Sequence, residues 1–114
     1  MSERQLRDTL QDMLEAARRI VSYIENASFE QFQEDYKTQD AVLRNLEVLG
    51  EAAKNIPDEF RSKYPDLPWG EMARTRDRLI HHYFGVNLDV VWGISELELP
   101  GVIEQLEIIL EQGE

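Results

Sequence analysis

The residues of this 114-residue chain that could do chemistry lie in the octapeptide from Arg76 to Tyr83. Asp77 and His81 are one helical turn apart, so on a helix the carboxylate can hold one imidazole nitrogen and favour the protonated ring. On an ideal helix Arg74 and Arg78 fall on the same side as His81. The pattern predicts a cationic strip that carries an oriented titratable group.

Arg76 falls on another face of the same helix, about 140° round from His81, and shares it with Met72, Ile80 and Tyr83. That face should point inward. Arginine is rarely buried without a partner, so its guanidinium needs a carboxylate on another helix, a subunit interface or a bound anion. The residues alone leave a structural salt bridge as open as a functional role.

The residues give little support for a metal site or for a Cys or Ser nucleophile. Asp77 and His81 have the four-residue spacing of paired metal ligands, but two ligands are too few, and the nearby arginines would repel a cation. His82 points about 100° away from His81 on a helix. The chain has no cysteine and no serine beside a histidine. The sequence therefore predicts neither a metal site, nor a cofactor, nor a Cys or Ser nucleophile.

The charge of the chain is unevenly distributed. Twelve Lys and Arg against 23 Asp and Glu give a net charge of −11, which opposes polyanion binding at long range. From Phe84 to the C-terminus there are seven acids and no Lys or Arg. Three acids of segment 61–83 are outnumbered by five basic residues, which are Arg61, Lys63, Arg74, Arg76 and Arg78. This basic segment could still be an ordinary solvated face.

Length and composition predict one ordinary globular domain that spans residues 1–114. Its hydrophobic fraction is 42% and its charged fraction 31%, and no apolar run approaches the roughly 20 residues that cross a bilayer. The N-terminus lacks the apolar stretch of a secretory signal. The absence of cysteine agrees with a reducing compartment. We therefore expect a cytoplasmic protein without a membrane segment.

Apolar residues at three- and four-residue intervals predict the elements that carry the octapeptide. A first helix should run from Glu3 to Glu25, and a short turn with Phe29, Phe32 and Tyr36 should close one end of the core. Ser2 and Ser28 stand three residues before Gln5 and Gln31, which is capping-box spacing. A second long helix should follow Thr38 and end before Pro57, with Gly50 where a neighbouring helix comes close.

The octapeptide itself should occupy the second half of a third long helix, which begins at Pro68 and ends at Gly85. A loop with one helical turn precedes it. A fourth helix should begin near Asn87 or Asp89, continue through a stripe containing Leu97, and break at Pro100 before resuming to Leu110. The predicted fold is all-α, an antiparallel up-and-down four-helix bundle with an extra short helix and the last helix broken at Pro100.

Read as Arg-x4-His-x-Tyr with a polar residue after the arginine, the octapeptide resembles the signature of HEPN-domain proteins, most closely the HepT-like toxins. Four flanking features extend the resemblance to the whole chain: Tyr64–Trp69, Leu49–Ala52, Tyr83–Val86 and the spacing from Trp92 to Pro100. One departure is the pair Arg74-Thr75 before the motif, where a small or apolar pair is usual.

The resemblance implies a homodimer in which motif helices of two protomers line one cleft, and a metal-independent endoribonuclease activity on RNA. It implies that Arg76 and His81 are the catalytic pair and that Asp77 supports them. Further RNA contacts would come from Arg74, Arg78 and His82. It also implies a toxin–antitoxin module, in which an MntA-type nucleotidyltransferase, bound in a larger hetero-oligomer, transfers AMP to Tyr83.

These residue types suit that reaction, because RNA cleavage through the 2′-hydroxyl needs a base, an acid and a cation beside the phosphate. Histidine can transfer the proton and arginine can bind phosphate oxygens in bidentate fashion. Two alternatives remain open. One is a non-catalytic helical dimer that binds a nucleotidyltransferase partner or nucleotide. The other is a purely structural bundle, in which Arg76 and His81 affect stability or nothing.

Overall fold

The computed structural model describes residues 1–79 and 86–112, and of Arg76 the backbone only. These residues form helices joined by short turns, and no β-strand occurs among them. The molecule measures 43 × 30 × 20 Å. The predicted all-α fold class is confirmed. Within the described ranges no helix is both long and apolar enough to cross a bilayer.

The first helix, α1, spans Glu3–Ile24 and begins at the predicted capping box between Ser2 and Gln5. This box satisfies two backbone N–H groups that would otherwise lack partners at the helix start. The predicted apolar stripe faces the core, with Leu10, Met13, Leu14, Ala17, Ile20 and Ile24 all buried. The helix is therefore held by its own cap and by one continuous apolar face.

A short helix, α2 (Phe29–Glu34), precedes the long helix α3 (Tyr36–Lys54). Phe32 of α2 is buried and packs on Trp92 with ring centroids 5.4 Å apart. Tyr36 was expected to help close the core, but its side chain is 74% exposed. The expectation was wrong because α3 begins before Thr38, at Tyr36, which is thereby carried onto the outer face.

Asp35 explains this early start of α3. Its carboxylate accepts hydrogen bonds from the Thr38 hydroxyl at 2.6 Å and from the Thr38 N–H at 3.1 Å, so it serves as the N-cap. The Thr38 side-chain bond and then the backbone bond hold the pKa of Asp35 below its ordinary value.

The C-terminal end of α3 is closed by an arginine from the following turn. The guanidinium of Arg61 donates to the carbonyls of Ala53 (2.7 Å), Lys54 (3.1 Å) and Ile56 (3.0 Å). Carbonyls at a helix end have few or no partners within the helix, so these side-chain bonds help to satisfy them. Arg61 ends the single turn α4 (Asp58–Arg61), which is the helical turn predicted within this loop.

The predicted third helix is interrupted rather than continuous. It forms α5 (Trp69–Ala73) and α6 (Thr75–Leu79), with Arg74 at φ −99° and ψ 15° between them. The buried Thr75 hydroxyl donates to the Met72 carbonyl at 2.5 Å, the group that would accept the Arg76 N–H in a regular helix. Such side-chain competition explains the interruption. The predicted end at Gly85 lies outside the described residues.

The last helical region, predicted to begin near Asn87 or Asp89, has Asn87 as its N-cap. It runs through α7 (Leu88–Gly93), a π-helical segment (Ile94–Glu98) and α8 (Leu99–Gln112). Pro100 lies inside α8, so the irregularity precedes it. Because proline lacks an N–H and its ring crowds the carbonyl four residues earlier, residue 100 cannot form the regular helical hydrogen bond to the Glu96 carbonyl. In the π segment the Leu99 N–H bonds to the Ile94 carbonyl instead.

The π segment also changes which side chains face the core. Ile94 and Leu99, five residues apart, are both buried, whereas Leu97 is 77% exposed. Leu97 had been placed on the buried stripe from a regular period of 3.6 residues. That assignment was wrong because a π turn contains about one residue more than an α turn. The side chains that follow are therefore rotated relative to the core.

The long helices pack around α1, which contacts both α3 and α8, while α3 contacts α5 and α6, and α6 contacts α7. At Gly50 in α3, an added Cβ would lie 2.9 Å from the Met72 carbonyl oxygen and 3.7 Å from Thr75 Cβ. The predicted close helix approach at Gly50 is confirmed. The up-and-down antiparallel arrangement stays a prediction.

Candidate functional site

The first half of the octapeptide borders a cleft between α3 and the pair α5–α6. We call it the α3–α6 cleft; its volume is about 260 Å³, and it is lined by Leu46, Glu47, Gly50, Glu51, Lys54, Ala73, Arg74 and Asp77. The absence of a side chain at Gly50 lets α5 come within contact of α3. The cleft thus brings together two of the predicted site residues, Arg74 and Asp77.

Asp77 lies in the first turn of α6, and its N–H bonds to the Arg74 carbonyl at 3.0 Å. A carboxylate is favoured there by the partial positive charge of the helix start. The side chain is exposed and forms no salt bridge with the other described residues. It is therefore open to solvent and accessible to a further hydrogen-bond donor.

Arg74, at the junction of α5 and α6, is exposed and turns its guanidinium back over Gly70. An added Cβ at Gly70 would lie 3.1 Å from Nη1 of Arg74. No carboxylate within the described parts of the chain pairs with it. Arg74 is thus a cation at the cleft rim that a bound anion could reach.

A second cation of the cleft, Lys54, was missed by the sequence analysis. It lies in the last turn of α3, is exposed, and forms no salt bridge with a described residue. Nothing in the local sequence links it to the octapeptide, because the two meet only through packing of α3 on α5. An exposed lysine at the end of a helix would by itself have been only a weak indication of a binding role.

The α3–α6 cleft is not uniformly basic. Arg74 and Lys54 share it with the carboxylates of Glu47, Glu51 and Asp77. In one chain these acids oppose the approach of a phosphate group. An anion would therefore bind near the rim, beside Arg74, rather than deep among the carboxylates.

Arg78 is engaged within the protein. Its Nη2 donates to Oε2 of Glu98 at 3.1 Å, and Nη1 to Oε1 at 3.4 Å. The two side chains are 30% and 40% exposed. This is a two-point arginine–carboxylate pair, with both distances longer than the roughly 2.7–2.9 Å of the strongest such bonds. A role of Arg78 in RNA binding stays a prediction and would compete with Glu98.

The remaining predicted site residues lie outside the described residues. These are His81, His82 and Tyr83, together with the side chain of Arg76. In residues 1–79 and 86–112 no three His, Cys, Asp or Glu side chains are grouped so as to hold a metal ion. Since both histidines lie between these ranges, the metal alternative is not tested. The chain returns beside the end of α6, where the Asn87 N–H bonds to the Leu79 carbonyl at 2.9 Å.

The family model and the relatives that match this chain are all described as ribonucleases. A family model described as "Ribonuclease HepT-like" matches residues 13–109. A protein of Methanocaldococcus jannaschii named "Putative RNase" is 45% identical over 111 residues, which cover 97% of this chain and 92% of the relative. "Probable ribonuclease HepT" of Thermococcus cleftensis is 45% identical over 105 residues, 92% of this chain and 96% of the relative. No solved structure gives a significant match.

The matched range runs from the middle of α1 almost to the end of α8 and includes both walls of the α3–α6 cleft. Identity at this level over nearly the full length of both chains leaves no large part of the fold unmatched. The resemblance noticed in the octapeptide and its flanks is confirmed: this chain belongs to the HepT-like ribonuclease family.

Proposed function

We propose that this protein is a metal-independent endoribonuclease, the toxin of a HEPN-type toxin–antitoxin module. The observation that carries the proposal is the family match over residues 13–109, which includes the complete Arg-x4-His-x-Tyr motif. Arg76 and His81 are the proposed catalytic pair. Asp77 supports His81 through the one-turn spacing between them.

The proposed reaction is an in-line attack of the ribose 2′-oxygen on the adjacent phosphorus. The bond between the 2′-oxygen and phosphorus forms as the bond to the 5′-oxygen breaks, which leaves a 2′,3′-cyclic phosphate and a 5′-hydroxyl. A base removes the 2′ proton and an acid protonates the leaving 5′-oxygen. His81 carries out proton transfer, while Arg76 stabilises the charge that grows on the phosphate oxygens.

RNA binding is assigned to Arg74 and His82 near the motif, with Lys54 added from the α3–α6 cleft. Arg78 could contact RNA only by giving up its pair with Glu98. Arg74 and Lys54 support this assignment because both are exposed and form no salt bridge with a described residue. Three carboxylates line the same cleft. We therefore include a homodimer in the proposal, since two copies of the motif would concentrate cations along one RNA path.

The nuclease proposal is tested with the purified protein in the absence of any partner. We expect wild-type protein to cleave RNA in the presence of a metal chelator. His81→Ala and Arg76→Ala should each lower the rate by about 10² or more, because each removes a group of the transition state. Arg19→Gln is the control, since Arg19 pairs with Glu15 on the exposed face of α1. Equal cleavage by wild type and His81→Ala would contradict the assignment.

We further propose that an MntA-type nucleotidyltransferase neutralises the toxin by transferring AMP to Tyr83 within a cytoplasmic hetero-oligomer. Incubation of the purified partner with this chain and ATP should add the mass of at least one AMP unit. Tyr83→Phe should abolish the addition, whereas Tyr36→Phe, which removes a tyrosine that is 74% exposed, should not. Modification of Tyr83→Phe to the same extent would contradict the proposal. AMP addition to a protein that leaves RNA intact would favour the non-catalytic alternative.

A further inference from the structure

The ion pair between Arg78 and Glu98 joins α6 to the π segment, two elements between which the chain carries His81 and then α7. Arg78 lies in α6, and Glu98 is the last residue of the π segment. Both guanidinium nitrogens reach the carboxylate, at 3.1 and 3.4 Å, and both side chains are partly buried. Such a pair fixes orientation as well as distance.

The π segment is what brings Glu98 to this position. Ile94 and Leu99 are both buried and are linked by the bond from the Leu99 N–H to the Ile94 carbonyl. Glu98, the neighbour of Leu99, is therefore held at the edge of the core and only half exposed. Isolated π turns inside α-helices occur frequently at functional sites. Here the π turn supplies a carboxylate to the element that carries the motif.

The described part of the motif helix, Thr75–Leu79, is held by contacts with other elements. Its start lies close to α3, because a Cβ added at Gly50 would lie 3.7 Å from Thr75 Cβ. Its last described turn is held by the Arg78–Glu98 pair and by the bond from the Asn87 N–H to the Leu79 carbonyl at 2.9 Å.

We propose that Arg78 and Glu98 are positioning residues, which hold α6 so that Arg76 and Asp77 have the orientation that RNA cleavage requires. This inference rests on the proposed nuclease function. It assigns Arg78 to the protein's own carboxylate rather than to RNA, and it gives Glu98 a role although no motif contains it.

Glu98→Gln distinguishes the two roles of Arg78, because it removes a negative charge and releases Arg78. If Arg78 serves RNA binding, releasing it should strengthen RNA binding and leave cleavage at least as fast. If the pair positions α6, kcat should fall at least about tenfold, since small displacements of catalytic groups are costly. KM and the salt dependence of RNA binding should then stay within twofold of wild type. An unchanged kcat in Glu98→Gln would overturn the proposal.

Two further variants separate positioning from general stability. Glu107→Gln is the control, because it breaks another arginine–glutamate pair between elements, Arg18–Glu107, which joins α1 to α8. It should leave kcat unchanged. The exchanged pair Arg78→Glu with Glu98→Arg should recover most of the activity that either single change removes. Failure of this double variant to exceed both single variants would count against a direct pair.

A readout that needs no activity keeps the inference separate from the nuclease proposal. Hydrogen exchange at the Asn87 amide reports the bond to Leu79 at the end of α6. Glu98→Gln should speed this exchange at least about tenfold through local opening, and Glu107→Gln should not. Unchanged Asn87 exchange would overturn the positioning role even if the wild type cleaves RNA. If Glu98→Gln speeds the exchange but the wild type shows no nuclease activity, the positioning role of the pair would be supported and only the nuclease proposal would be contradicted.

Discussion

The basic side chains around the motif fall into two groups. One group forms hydrogen bonds or an ion pair with other parts of the protein, and the other forms no ion pair with a described residue. Arg61 closes the end of α3 through three carbonyls, and Arg78 pairs with Glu98. Arg74 and Lys54 line the α3–α6 cleft with no carboxylate pair within the described residues. The net count of a basic segment therefore overstates its capacity for phosphate, because Arg61 and Arg78 could bind phosphate only by breaking an internal contact.

This division predicts a specific salt dependence of RNA binding. Arg74→Gln and Lys54→Gln should each make the plot of log K against log salt concentration shallower by about one phosphate contact, roughly 0.7 units for single-stranded RNA. Lys63→Gln is the control, because Lys63 is exposed in the same basic segment but does not line the cleft. Equal slopes for Arg74→Gln and wild type, or an equal change in Lys63→Gln, would contradict the assignment.

Single residues were predictable where their partners are near in sequence. The caps formed by Ser2 and Ser28 follow from a fixed spacing and are confirmed. The roles of Lys54, Arg61 and Glu98 were not predictable, because each depends on contacts that exist only after helices pack or a turn closes. The positions of His81 and Tyr83 stay predictions.

Among the elements, α3 and α6 depend on each other through one glycine. A Cβ at Gly50 would lie 2.9 Å from the Met72 carbonyl oxygen, and a backbone atom cannot turn aside as a side chain can. Met72 and Thr75 are joined by the hydrogen bond that separates α5 from α6. A change at Gly50 should therefore disturb the motif helix as well as overall stability.

Replacement of Gly50 by alanine, compared with Gly101→Ala, tests this dependence. Both changes gain helix propensity of about 1 kcal/mol. At Gly101 an added Cβ meets nothing within 4 Å, so this variant should be stabilised. Overpacking at Gly50 should make Gly50→Ala less stable than Gly101→Ala by about 1–3 kcal/mol.

Urea unfolding measures the free energies of unfolding of both glycine variants under the same conditions. Equal stability of Gly50→Ala and Gly101→Ala would show that α3 and α5 can separate without cost, contrary to the close approach described above.

Helix positions followed well from the sequence because apolar stripes and caps are local signals. The interruption at Arg74 did not, since the Thr75 hydroxyl competes for a carbonyl only when it is buried there. Leu97 was misplaced for a related reason, as a period of 3.6 residues fails across a π turn. Both errors lie beside the proposed site, where the backbone departs from regular helix.

At the scale of the whole molecule, the net charge of −11 repels RNA, and any RNA-binding role has to overcome this repulsion. Long-range repulsion has to be overcome by a local concentration of cations. One α3–α6 cleft offers Arg74 and Lys54 against three carboxylates. The proposed homodimer would meet this condition by placing two motif segments along one RNA path.

The fold class and family could be predicted from the sequence because their signals extend over the whole chain. The stripe of α1 and the caps determine an all-α fold, and the octapeptide with its flanks indicates the HepT-like ribonucleases. The chemistry remains a proposal because it depends on how Arg76 and His81 meet a phosphate, which neither spacing nor packing of the described residues defines.

The most direct measurement uses an RNA oligonucleotide with the purified wild-type protein, a metal chelator and no partner, followed by mass analysis of the product ends. We predict products with a 2′,3′-cyclic phosphate and a 5′-hydroxyl, none from the same oligonucleotide with 2′-deoxyribose throughout, and a loss of about 10² or more in rate for His81→Ala. Intact RNA, cleavage of the deoxy substrate, or products formed equally by His81→Ala would contradict the proposed ribonuclease.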